Sequence, residues 1–157
     1  SEGVVRRSRV PVYIFKSRVE EGENGVRYHK PCERLFERIL VAYDFSEHSK
    51  ICLEYAKLIA EKVGGEIIVL HVEENKSHEE NLESVSAELK DRKLRFRILT
   101  VHGSPAKMIL HMQKELNAST IFVGSCGLSF ARSLILGSVS DQVVRVSEVP
   151  VFVCRGD

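Results

Sequence analysis

No segment of this 157-residue sequence is apolar for the eighteen or so residues that crossing a bilayer takes, and no signal-peptide pattern is visible. Net charge is nearly absent too. With 23 basic and 22 acidic residues the formal charge is +1, which offers no electrostatic footprint for nucleic acid or an anionic membrane, so neither is an expected partner. The four cysteines, Cys32, Cys52, Cys126 and Cys154, form no C-x-x-C pair and no zinc-ligand spacing; a reducing cytoplasm fits that usage best. Catalytic signatures are missing as well: there is no Ser/His/Asp arrangement, no H-E-x-x-H, no EF-hand loop and no carboxylate pair with useful spacing. His71, His102 and His111 read as structural or solvated, and only His48 falls within reach of the crevice inferred below. No catalytic or metal-ligating residue is assigned.

What is present is an echo. Shifting the first fourteen residues by 139 positions superposes Ser1 on Ser140, Val4-Val5-Arg6 on Val143-Val144-Arg145, Ser8 on Ser147 and Val10-Pro11-Val12 on Val149-Pro150-Val151, eight identities in fourteen. Nothing between the two copies repeats, so a solenoid is excluded. The economical reading is that residues 1–18 are the closing helix and strand of a preceding, related domain. Residues 19–36 then form a linker, polar and punctuated by Gly22, Asn24-Gly25 and Pro31, with the Asn-Gly pair suited to closing a small hairpin. Residues 37–157 remain, about 120 residues, enough for one core.

Within that domain apolar runs alternate with helical patterns. Strand 38–44 leads to a helix over 46–63 that Gly64-Gly65 ends; strand 66–72 leads to a polar helix over about 77–92; strand 95–101 leads to a helix opened by Ser104 and Pro105. Strand 120–125 is followed by a loop, a helix for which Ser138-x-x-Asp141 suggests a capping box, and strand 149–154. Near-continuous Ile/Val/Leu strands with intervening helices predict an α/β fold, a mostly parallel sheet with helices on both faces. Ligands of such sheets gather outside the carboxyl ends of the strands, where the winding reverses.

The stretch GSCGLSFARSLILGS lies at such an end. Gly124 closes a strand, Gly127 follows three residues on, and Gly137-Ser138 opens the next helix, where unpaired N–H groups and the helix dipole favour an anion. The spacing is neither a Walker loop nor G-x-G-x-x-G, since no lysine follows the last glycine.

This G-x2-G-x9-G-S pattern resembles that of nucleotide-binding universal stress proteins, and the likeness extends over residues 38–154 through ILVAYDFSEHS, IIVLHVEE and GSVSDQVVRVSEVPVFV. The resemblance implies an open five-stranded parallel sheet in the order 3-2-1-4-5, of the adenine nucleotide alpha hydrolase-like class, with the helix-strand segment at the amino end added to it. It implies ATP or AMP as ligand, with Mg2+ or Mn2+ held by the phosphates. Asp44, brought beside Gly124, would then face the adenosine, Val72 would present main-chain atoms to adenine, and Gly127, Gly137, Ser138 and Val139 would hold the phosphates. Bland readings stand beside these: Asp44 as a helix cap, Val72 as core, Ser138 as a cap alone. The sequence departs from the pattern at Cys126, where a basic residue is common, and at Ser119-Thr120, which replace an acidic residue; Arg132 is the cation nearest in sequence to the phosphates. A cytoplasmic nucleotide sensor in the stress response is the leading expectation, followed by a nucleotide-independent dimerisation module and then by a slow ATPase. Pro150 marks 149–154 as an edge strand that wants a cover. Residues 10–15 are expected to lie antiparallel to it, within the chain or between two chains, with Val12 near Val151.

Overall fold

The computed structural model describes residues 2–8, 10–16, 18–22, 25–29, 34–74, 82–126 and 136–155. The elements, in chain order, are α1 (Glu2–Arg7), β1 (Val12–Ile14), β2 (Arg18–Gly22), β3 (Gly25–His29), β4 (Arg38–Ala42), α2 (Glu47–Val63), β5 (Glu66–Glu73), α3 (Glu83–Asp91), β6 (Arg95–His102), α4 (Pro105–Glu115), β7 (Thr120–Gly124), α5 (Ser138–Val146) and β8 (Val151–Cys154). Six strands make one sheet in the order β1-β8-β7-β4-β5-β6, and β2 and β3 make a separate hairpin. From β4 onward the neighbours are parallel, in the expected order 3-2-1-4-5. The sheet has six strands rather than five, because β1 adds an antiparallel edge.

Period-two alternation explains the two-sided core. Leu40, Ile68, Leu70, Ile121, Val123, Val151 and Val153 point to the face covered by α4, α5 and α1, whereas Ile39, Val41, Ile67, Val69, Phe122 and Cys154 point to the face covered by α2 and α3. Helix α2 is opened by Ser46, whose hydroxyl accepts from the Ser49 N–H at 3.2 Å, and closed by Gly64 at φ 70°. Lys57 is fully buried on its inner face and reaches Glu54 and the Glu88 carboxylate of α3. The expected polar helix is shorter at its start, beginning at Glu83; residues 77–81 lie outside the described residues. Ser104 and Pro105 open α4 as read, although the Ser104 side chain makes no capping bond.

In the linker β2 and β3 pair antiparallel, Gly22 opposite Gly25; Asn24 of the expected Asn-Gly turn lies outside the described residues. Cys52 and Cys154 are disulfide-bonded across 102 residues of sequence, a pairing that spacing did not signal and that runs against reading these cysteines as thiols kept reduced. Cys126 is buried and lies outside that bond.

β1 pairs antiparallel with β8 inside the chain: Val12 opposite Val153, Tyr13 opposite Phe152, Ile14 opposite Val151. The pairing is as expected but the register is two residues from the Val12–Val151 juxtaposition. A shift of two keeps every side chain on its face, so Val12 and Ile14 still point to the side of α1 and α5.

Candidate functional site

The carboxyl ends of β4, β5 and β7 open into a crevice of about 420 Å³. It lies at the point where the chain winds from β4 to β5 on one side and to β7 on the other, the place that a doubly wound sheet leaves open. Its lining combines the apolar residues Ala42, Leu70, Val72, Pro105 and Ile109 with Gly124, Cys126, Gly137, Ser138, Val139 and Ser140 and with two carboxylates, Asp44 and Glu74. Six of the seven residues singled out in the sequence, Asp44, Val72, Gly124, Gly137, Ser138 and Val139, therefore line one cavity. Gly127 and Arg132 lie outside the described residues.

Asp44 is not the cap of α2. Its Oδ1 accepts from the Ser46 N–H at 3.1 Å and from the Ser46 hydroxyl at 2.5 Å, which holds the residue that is the cap. Among the described residues no hydrogen bond engages Oδ2, so the half-buried carboxylate keeps acceptor capacity toward the crevice. Phe45 reaches φ 61°, a conformation rare for an aromatic residue, and its ring lies edge-on to Tyr43 and His71. His71 donates through Nδ1 to the Tyr43 carbonyl at 2.8 Å, the role of a satisfied core histidine. Burial holds the Tyr43 phenol above its usual range, so it adds no charge at neutral pH.

The glycine loop is pinned at both stems. Gly137 N–H donates to the Ser125 carbonyl at 2.7 Å, Ser125 N–H donates to the Cys154 carbonyl at 2.7 Å, and the Ser140 hydroxyl lies 2.9 Å from the carbonyls of both Ser125 and Gly137. The expected capping box does not form. Gly137 occupies the N-cap in an extended conformation without a side-chain bond, and Ser138 is the first helical residue. The reason is geometric: Ser140 turns its hydroxyl back to the stem, and Asp141 pairs with Arg145 at 2.8 Å. Among the described residues the opening N–H groups of α5 have no side-chain cap, and an uncapped helix start of this kind favours an anion. Among the described residues the crevice lining includes no lysine or arginine. No group of three or more metal-ligating side chains occurs among the described residues.

Ser125 and Ser140 were not singled out by sequence reasoning. His48 was, by position, but its task was not. The Cys126 N–H donates to His48 Nδ1 at 3.2 Å, and the Ser125 hydroxyl lies 3.2 Å from the same nitrogen. Nδ1 is therefore an acceptor, and the ring proton sits on Nε2. Replacing His48→Leu should lower stability by about 1–3 kcal/mol in urea unfolding, because the Cys126 N–H loses its partner. His48→Asn, which supplies an acceptor, should recover part of that loss.

A model of the universal stress protein family matches residues 35–91 and 72–155. The chain belongs to the universal stress protein family. A Thermus aquaticus universal stress protein is 33% identical over 137 residues, covering 77% of this chain and all of the relative. A universal stress protein from Archaeoglobus fulgidus has a solved structure that superposes with a TM-score of 0.79 at 39% identity, over 98% of this chain and 52% of that one. This chain thus spans about half of the Archaeoglobus chain. A universal stress protein solved in complex with cAMP has a TM-score of 0.62 at 23% identity, covering 78% and 98% of the two chains. The Arabidopsis thaliana protein At3g01520, solved with AMP bound, has a TM-score of 0.59 at 20% identity, covering 76% and 91%. At those identities the last two establish likeness of fold.

Proposed function

We propose that the crevice binds an adenine nucleotide, ATP or AMP, and that the domain acts in the stress response as a cytoplasmic nucleotide sensor or regulator. The observation that carries this reading is the pairing, in one cavity, of an apolar wall with the uncapped amino end of α5. A base fits the wall formed by Ala42, Leu70, Val72 and Ile109; phosphates fit the N–H groups that follow Gly137. Asp44 would accept from a ribose hydroxyl through Oδ2, and Val72 would offer main-chain atoms to the base. Relatives of the same fold solved with AMP and with cAMP support adenine as the base. With no basic side chain on the described wall, a divalent cation held by the phosphates would supply the missing positive charge.

Sensing rather than rapid turnover is favoured because the described wall presents no lysine to the phosphates and no established base; slow hydrolysis is the secondary reading. The Cys52–Cys154 bond is compatible with a cytoplasmic setting, since both residues are fully buried and small thiols reach them only when the fold opens. Mass spectrometry of the small molecules released when the purified protein is denatured tests the reading. An adenine nucleotide, carried through purification or taken up on incubation, is the expected outcome; neither carriage nor uptake would remove the proposal.

A further inference from the structure

His48 stands where the two halves of the crevice meet. It lies in the first turn of α2, just after the Ser46 cap that Asp44 Oδ1 holds, so its backbone is tied to the carboxylate side of the site. Its ring is tied to the glycine-loop side through Nδ1, which accepts the Cys126 N–H and lies 3.2 Å from the Ser125 hydroxyl. The next link is the Ser125 carbonyl, which accepts from the N–H of Gly137, the residue that opens α5. Gly124 lets the two sides approach. A Cβ there would come 2.9 Å from His48 Cβ and 3.3 Å from the Ser49 nitrogen, so a side chain would lift the turn of α2 away from the end of β7.

The bond from Cys126 needs an uncharged ring. An imidazolium carries N–H on both nitrogens and would set a donor against the Cys126 N–H. The Ser125 hydroxyl can rotate to accept instead, but a backbone N–H has no such freedom, and Cys126 is buried, with little water to replace the lost acceptor. A positive charge in the first turn of α2 also opposes the helix dipole. Both effects have one sign: the contact is present while His48 is neutral and is lost as the ring gains a proton. Imidazole is the side chain whose charge changes between about pH 8 and 5.

Around the ring, Glu47 favours the imidazolium, but it is exposed and already paired with Lys50 at 2.8 Å. The end of β4 brings Asp44, bound to Ser46, and Tyr43, whose phenol burial holds above its usual range; β5 brings His71, bound to the Tyr43 carbonyl. From β8 come Cys154, in the disulfide, and Arg155, which donates to the Val5 carbonyl. His48 is not among the described residues that line the crevice, so it acts on the stem rather than on a ligand.

We propose that His48 is a proton-sensitive positioning residue: neutral, it holds the Ser125–Cys126 stem in the form that binds nucleotide phosphates; protonated, it releases the stem and lowers affinity. The inference rests on the nucleotide reading above and adds to that same site a response to acid.

Titration of ATP and of AMP into the wild type and into His48→Asn, at about pH 7.5 and about pH 5.5, tests it across the imidazole range. Asn supplies an uncharged acceptor, and protonation of the nucleotide's own phosphate affects both proteins alike, so the readout is the ratio of the two affinities. The wild type should lose about tenfold more affinity than His48→Asn over that interval, the equivalent of one hydrogen bond. A ratio that stays constant would overturn the proposal. NMR of the nucleotide-free wild type needs neither a variant nor a ligand. The ring should be the Nε2–H tautomer at neutral pH, and the Cys126 amide should shift in step with ring protonation. An Nδ1–H tautomer, or a Cys126 amide that stays still between about pH 8 and 5, would overturn it. A wild type that binds neither nucleotide at neutral pH, with the Cys126 amide titrating as expected, would remove the nucleotide reading and with it the claim on affinity, while upholding the proton-sensitive stem.

Discussion

Converting both Cys52 and Cys154 to alanine, or reducing the bond between them, should lower the stability of the domain by about 2–5 kcal/mol. The direction follows from chain entropy. The bond closes 102 residues of sequence, nearly the whole domain, so the unfolded chain loses much of its freedom while the bond is intact. It also joins α2, on one face of the sheet, to the last residue of β8, whose carbonyl holds the Ser125 stem of the glycine loop. For a domain of this size each kcal/mol displaces the melting temperature by about 2–4 °C. Thermal unfolding with and without reductant should therefore differ by roughly 10 °C, and the double alanine variant should respond to reductant not at all. Equal midpoints in the wild type under both conditions would mean that the bond contributes nothing.

Gly65→Ala should cost about 3 kcal/mol or more, even though glycine to alanine is among the smallest changes available. A Cβ at Gly65 would sit 2.1 Å from the Phe36 carbonyl oxygen and 3.3 Å from its carbon, and backbone atoms have no rotamer to escape through. The strand start that would have to move is fixed on both sides: Glu66 N–H donates to the Glu37 carbonyl at 2.9 Å, and the Phe36 ring lies against Tyr13 and Phe122. Overpacking of this kind costs about 1–3 kcal/mol where side chains can yield, and more where they cannot. Gly64→Ala is the internal comparison. At φ 70° with nothing within 4 Å, it meets only the left-handed backbone penalty of about 1–2 kcal/mol. Urea unfolding of the two variants should rank them in that order, and the reverse order would show that the close approach at Gly65 is relieved by relaxation.

The sequence was most legible where one residue's meaning depends on neighbours close along the chain. Alternating β-branched strands, Ser46 and Gly64 around α2, and Pro105 at the start of α4 all follow from local rules. The meeting of Asp44 with Gly124, eighty residues apart, was legible only through the strand order that the family resemblance implied. The capping box at Ser138 failed because two local rules competed for one turn: the hydroxyl that acts there belongs to Ser140, and it serves the Ser125 stem, whose nearness no local rule reveals. For the same reason the sequence placed His48 in a first helical turn within reach of the crevice but not its task, which is to accept the Cys126 N–H through Nδ1. The pairing of Cys52 with Cys154 was out of reach of any spacing rule, since it depends on α2 lying over β8. The echo of residues 1–14 was plain, and even the face that each residue presents followed from it; only the register, two residues from that expected, did not.

Nucleotide binding in the crevice is the central proposal, and calorimetric titration of ATP and AMP into the wild-type protein and the Gly137→Val variant tests it most directly. Gly137 is placed so that even a Cβ would lie 3.2 Å from the Ser125 carbonyl, and the larger valine must push the amino end of α5 away from the loop stem. The wild type should bind at least one of the two nucleotides at one site per domain. The variant should bind at least tenfold more weakly, since each hydrogen bond lost to a charged group is worth about 1.5–3 kcal/mol. Heats of binding that are absent for both nucleotides in the wild type, or an affinity that Gly137→Val leaves unchanged, would contradict it.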